Sequence, residues 1–164
     1  MNRQPISDQT NSLLIEEVSN CCPLCGKFEK TGKDFTRHHI NHDTSKSEYW
    51  NLIRICQDCH NDLSKNKTDG TRERRVNLVK RSLFRKYFGP LSVCVLKNAG
   101  SNKYGLVTIM PVATRELCER GFLILNQANV YTVGPSTCGP TLSVYKITEE
   151  GKKILKELFN HVED

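Results

Sequence analysis

The chain has 164 residues, a formal net charge of +6 and eight cysteines, enough for one ordinary domain or two small ones. A module near ~50 residues rarely buries enough apolar surface to fold unaided, so two small domains would need a staple such as a metal. No apolar run approaches the ~18 residues needed to cross a bilayer, and no membrane segment is expected.

The charge is not spread evenly. Residues 1–61 carry 7 basic and 8 acidic groups, 62–88 carry 9 and 3, and 89–164 carry 8 and 7. The whole excess lies in the central stretch, which favours a polyanionic partner, with nucleic acid ahead of a membrane surface. The plain alternative is a solvated helix face. Eight cysteines also suit a secreted disulfide framework, but Met1 to Asn20 is polar, with Leu13, Leu14, Ile15 and Val18 too scattered for a signal-peptide core. A cytoplasmic location is expected, and in a reducing compartment paired C-x-x-C sequences are read as metal ligands rather than bridges.

Residues 1–19 form a polar leader, mobile or partly helical. In residues 20–68 the cysteines crowd together with four of the five histidines. Large apolar residues there are confined to a handful, chiefly Phe35, Tyr49, Trp50, Leu52, Ile53 and Ile55, which is the composition of a domain organised by metal. Cys22 and Cys25 form one C-x-x-C knuckle, Cys56 and Cys59 the other. Each pair can reach one ion from a tight turn, and two pairs complete the tetrahedron of a structural Zn²⁺. Cys21 is the alternative to Cys22. If four cysteines fill the zinc, then His38, His39, His42 and His60 are left for other work. The bland reading is a zinc scaffold without catalysis.

Residues 69–90 read as a linking basic amphipathic helix, from Thr71 to Phe88, stopped by Gly89-Pro90. Val76, Val79, Leu83, Phe84, Tyr87 and Phe88 share one side, and Arg74, Arg81 and Arg85 line up on the other as a candidate DNA-binding stripe. Leu78 falls among the arginines, and Lys80 intrudes on the apolar side. In residues 91–164, Leu91 to Leu96 is a buried turn or helix. A helix from Pro111 to Arg120 ends at Gly121. Strands follow at Phe122–Leu125, Val130–Val133 and Leu142–Ile147, with Gly134-Pro135 and Gly139-Pro140 between the last two. Thr148 caps a final helix whose buried face is Ile154, Leu155, Leu158, Phe159 and Val162. Cys94, Cys118 and Cys138 are expected to be small buried hydrophobes. The fold class is α+β.

The string RHHINHD, then Asn51-Leu52-Ile53, then Cys56-x-x-Cys59-His60, resembles the HNH family of nucleases over about Cys22 to Leu63. The resemblance implies a ββα-metal core, a hairpin followed by a helix around one divalent metal, and DNA as substrate. Carried over residue by residue, His39 matches the general base, and His38 and His60 match ligands of the catalytic metal. Asn51 matches the residue whose amide holds the loop and orients the base. Few protein ligands suit Mg²⁺ or Mn²⁺, while two imidazoles also suit Zn²⁺ or Ni²⁺. No carboxylate cluster is present to hold a pair of ions, so one catalytic metal is implied. The chain departs from the family where it has His42 in place of a proline, and where Ser64 stands at the position that supplies a further histidine in one subgroup. His42 is left as a third ligand, a phosphate contact or an exposed side chain.

The remaining order of helices, strands and a closing helix resembles the winged-helix folds. Arg115 and Arg120 are balanced there by Glu116 and Glu119, and residues 127–141 carry no charge. Self-association or positioning of the nuclease is therefore as well supported as DNA reading. Cutting both strands with one metal site is simplest for a homodimer through this module. The sequence thus points to a metal-dependent DNA endonuclease. The alternative is a non-catalytic, zinc-stabilised DNA-binding transcriptional regulator.

Overall fold

Residues 4–66, 70–132 and 141–159 are described by the computed structural model, a mixed α+β chain that divides into two compact units, Met1–Phe84 and Arg85–Asp164. No helix among the described residues is long and apolar enough to cross a membrane.

In the first unit the leader contains a packed helix, α1 (Asp8–Val18). It begins at Ser7, whose hydroxyl accepts the Thr10 N–H at 3.1 Å, and it buries Leu13, Leu14, Glu17 and Val18. Strands β1 (Phe35–His39) and β2 (Leu52–Cys56) form an antiparallel pair in which His38 faces Ile53 and His39 faces Leu52. Every residue of β2 is buried, because α1 packs against it and α2 (Gln57–Lys65) packs against both strands. Arg54 survives in that strand by pairing with the buried Glu29 at 2.6 Å.

Helix α3 (Gly70–Phe88) buries Val76, Leu83 and Phe84 as its apolar spacing requires. Lys80, which interrupts that face in the sequence, is 0% exposed. Its ammonium lies 2.6 Å from Glu17 Oε1 and 3.4 Å above the Tyr49 ring, while the Tyr49 hydroxyl donates to the other Glu17 oxygen. The intruding charge is one half of a buried ion pair that ties α3 to α1. Burial pushes the Lys80 ammonium down to about 8 against the pull of Glu17, and the same burial raises the Glu17 carboxyl.

In the second unit, Gly89 takes the left-handed backbone at φ 81° and Pro90 opens α4 (Pro90–Ser101). The helix therefore runs on to Ser101 rather than stopping at Leu96. A strand that the sequence pattern does not predict, β3 (Leu106–Ile109), follows. The single helix expected from Pro111 to Arg120 is instead a 3-10 turn, Pro111–Ala113, and a short helix α5 (Arg115–Glu119). Between them the buried Thr114 hydroxyl bonds back to the Pro111 carbonyl at 3.0 Å, a local bond that competes with the helix ladder.

The two strands expected before the Gly-Pro pairs are one, β4 (Leu123–Thr132), irregular between Leu125 and Tyr131. It pairs with β5 (Thr141–Ile147), and the antiparallel sheet has the order β3-β5-β4. Val133, Gly134-Pro135, Cys138 and Gly139-Pro140 lie outside the described residues, as does Val162. Thr148 caps α6 (Glu149–Ile154) by accepting the Gly151 N–H at 3.0 Å, and a π-helical turn, Leu155–Phe159, carries its buried face onward. Cys94 is exposed, contrary to its expected burial, and Cys118 is half-buried.

Candidate functional site

The first C-x-x-C sequence is a tight knuckle. Gly26, at φ 76°, donates its N–H to the Cys22 carbonyl at 2.8 Å, and the Cys22 N–H returns to the Lys27 carbonyl at 2.8 Å. The second knuckle straddles the junction of β2 and α2, with Cys56 ending the strand and Cys59 on the first turn of the helix. Together they bring the Cys22, Cys25, Cys56 and Cys59 sulfurs within 4.8 Å of one another.

The Cys22–Cys59 and Cys25–Cys56 separations are 3.9 Å and 3.6 Å. Four sulfurs at ~2.3 Å around a tetrahedral zinc stand ~3.8 Å apart, whereas a disulfide requires ~2.05 Å. The donor set therefore fits a structural metal such as zinc. Cys21 is not part of it, because its thiol bonds to the Gly26 carbonyl. Burial would raise the Cys22 thiol, but backbone N–H groups of Cys56, Leu24 and Cys25 bring it down to about 7. Burial, followed by bonding to neighbouring thiols, raises Cys59, and burial raises Cys56.

Clamping the start of α2 fixes the direction of the next side chain. His60 sits about 100° round the helix from Cys59, and its ring centre lies 5.4 Å from that of His38 on β1. The His42 ring approaches His38 at 5.1 Å. His60 Nδ1 is buried, and no described residue hydrogen-bonds it. Two imidazoles bound to one ion at ~2.1 Å, with bond angles of about 90–110°, place their ring centres ~4.6–5.3 Å apart. The histidine spacing fits a shared cation, and the orphaned Nδ1 supplies a donor. The three imidazoles are not a finished cage, since the four cysteines are the one group of three or more His, Cys, Asp or Glu donors within 4.8 Å among the described residues.

His38 and His39 are 4% and 6% exposed, and strand alternation turns His39 to the other face. The turn that follows is held by Asn51, itself 0% exposed. Its Oδ1 accepts the Asn41 N–H at 3.0 Å, and its Nδ2 donates to the Lys46 carbonyl at 2.9 Å and the Asp43 carbonyl at 3.4 Å. The Ile40 N–H adds a bond to the Asn51 carbonyl at 2.8 Å. Asp43 is kept below the usual carboxylate range by the Ser45 hydroxyl and N–H.

Residues 22–66 match the family model of the HNH endonucleases. The match covers both knuckles, the three clustered histidines, His39 and Asn51, and it spans well under half of the chain. No curated protein and no solved structure matches this chain.

Outside the HNH region, Arg74 and Arg85 are exposed on α3, whereas Arg81 is half-buried. Arg75 and Lys86 are also exposed on that helix, although helical spacing alone does not align them with the arginine stripe. Their immediate neighbours, Arg74 and Arg85, were the signal that could have found them.

Proposed function

We propose that the HNH region is a metal-dependent endonuclease hydrolysing phosphodiester bonds of DNA. His38 and His60 hold one divalent cation, Mg²⁺ or Mn²⁺, with Zn²⁺ or Ni²⁺ as the ions that imidazole otherwise prefers. When bound, that cation supplies positive charge to the phosphoryl oxygens and the leaving alkoxide. His39 takes the proton from the attacking water with a neutral imidazole, whose unperturbed pKa of ~6.5 leaves it a base at neutral pH. Its low exposure in the free protein is compatible with this role, because catalytic hydrogen bonds commonly form only with substrate in place.

Asn51 positions His39 by pinning the turn after it, and the four-cysteine zinc fixes the junction that aims His60. Arg74, Arg81 and Arg85 neutralise backbone phosphates of the duplex. The second unit, with its order of helix, strand, helix, two strands and helix, serves as a winged-helix-like module that pairs two copies of the chain. The observation that carries the reading is the 5.4 Å approach of the His38 and His60 rings inside the stretch that matches the HNH model.

The test is nicking of supercoiled plasmid by zinc-loaded protein with Mg²⁺ or Mn²⁺ added. His39→Ala is expected to keep the fold and the DNA affinity and to lose at least ~10² in rate, the scale of a missing general base. Intact plasmid with every cation, or an undiminished His39→Ala rate, would remove the proposal.

A further inference from the structure

The proposed hydrolysis makes no use of His42, whose geometry is unusual. It lies four residues beyond His38, and in a continuing strand that separation would be ~13 Å. Instead the chain reverses and brings the two rings to 5.1 Å, edge to face. At the end of that reversal His42 itself has a left-handed backbone, φ 59°, which sets the direction of its side chain; the conformation is uncommon outside glycine and costly enough that its surroundings must impose it.

The surroundings do impose it. The His42 N–H bonds to the His39 carbonyl at 3.0 Å. On one side the Asn41 N–H is held by Asn51 Oδ1, and on the other the Asp43 N–H is held by Asn41 Oδ1, each at 3.0 Å. The side chain has no such tether. Neither ring nitrogen of His42 is hydrogen-bonded by a described residue, so the turn is rigid while its imidazole keeps both nitrogens available.

We propose that His42 is the third imidazole of the cation site, closing on the ion held by His38 and His60. This rests on the reading of those two residues as ligands. The His38 ring approaches each of the other two, at 5.1 Å and 5.4 Å, both near the ~4.6–5.3 Å expected for imidazoles sharing an ion. The three donor sets do not yet meet within one cage, so ion binding includes a rotation of the untethered His42 side chain. A three-imidazole set shifts preference toward Ni²⁺ and Zn²⁺ and away from Mg²⁺, which favours oxygen donors.

The experiment uses full-length, zinc-loaded protein titrated with Ni²⁺ and with Mn²⁺ by calorimetry, together with pulsed electron paramagnetic resonance of the Mn²⁺ form to count coordinated imidazole nitrogens. The variant is His42→Asn, because asparagine tolerates the left-handed backbone. Wild type is expected to show three imidazole couplings and the variant two, with Ni²⁺ affinity at least ~10-fold weaker and with zinc content and melting temperature unchanged. Two couplings in wild type, or Ni²⁺ affinity unaffected by His42→Asn, overturns the proposal. His38→Ala separates the two levels of failure. Loss of the ion there with His42→Asn silent leaves the nuclease reading intact and sinks only the third ligand, whereas unaltered binding in His38→Ala sinks both.

Discussion

Replacing Lys80 by methionine keeps the length and apolar stem of the side chain and removes the ammonium that faces Glu17 at 2.6 Å, both side chains being fully buried. Glu17 then has two routes. Held ionised, it is a buried charge without its counter-ion, which costs about 3–5 kcal/mol. Held protonated, it must stay neutral at pH 7 against a reference value of 4.5, which at about 1.36 kcal/mol per unit comes to about 3.4 kcal/mol. The carboxyl takes the cheaper route, which puts the loss at about 3 kcal/mol, and removing the cation 3.4 Å above the Tyr49 ring adds about 1 kcal/mol.

Protonation has a signature in pH. A carboxyl whose folded value lies above its unfolded one contributes stability that is fully present below the unfolded pKa and is lost as pH rises. The cost of neutral Glu17 therefore falls to about 1 kcal/mol at pH 5. Urea unfolding of zinc-loaded protein, followed by Trp50, the single tryptophan of the chain, reads the first unit at both pH values against wild type under the same conditions. Lys80→Met is expected to be much the weaker at pH 7, and Glu17→Gln with Lys80→Met to recover most of the loss and the pH dependence with it. A variant within ~1 kcal/mol of wild type at pH 7, or one equally destabilised at both values and not rescued, would show that the Lys80–Glu17 pair does not carry this stability.

Asn51→Ala removes the partners of the Asn41 N–H and of the Lys46 and Asp43 carbonyls, and at about 1 kcal/mol for each bond, less for the long one to Asp43, the first unit should lose about 2–3 kcal/mol in thermal or urea unfolding. Plasmid nicking should fall further than that loss accounts for, because the turn after His39 is released; a variant of normal activity would show that the turn holds its shape unaided. Cys56→Ser should prevent folding of the first unit, since structural zinc is worth about 10–16 kcal/mol to such sites, and limited proteolysis would show it. Burial raises the Cys56 and Cys59 thiols, so protons compete with zinc, and acidification should release the ion in a chromogenic chelator assay before α4 and the second unit melt. Zinc retained at acid pH by an unfolded first unit would contradict the clamp.

The parts legible in the sequence were those fixed by short-range spacing. The two knuckles, the Gly89-Pro90 stop, the Thr148 cap and the apolar face of α3 each depend on residues within a few positions of one another. Asn51 was assigned by resemblance, and the bonds it makes are to a turn only a few residues upstream. What the sequence hid was settled by distant partners. Lys80 looked like an error in an apolar face because Glu17 is contributed by the leader, 63 residues earlier. Strand β3 has no strong alternation of its own and exists through its register with β5, Leu106 against Lys146 and Thr108 against Val144. The break at Thr114 turned on a hydroxyl bonding backward to Pro111, which helix periodicity does not register. His42 was visible as a residue and as a departure from the family, but its approach to His38 comes with a chain reversal and a left-handed backbone that no local pattern announces.

In the proposed function a sulfur-held zinc folds the first unit while a separate, histidine-held cation makes it a hydrolase. The most direct measurement is cleavage rate against added Mg²⁺ or Mn²⁺ for protein carrying one zinc per chain, alongside His38→Ala and His60→Ala. The zinc-loaded protein should be folded and inactive until a saturable second ion activates it, and the two variants should keep the zinc and the fold but resist activation. Full activity with the single zinc alone, or unimpaired activation of His60→Ala, would contradict the proposed function.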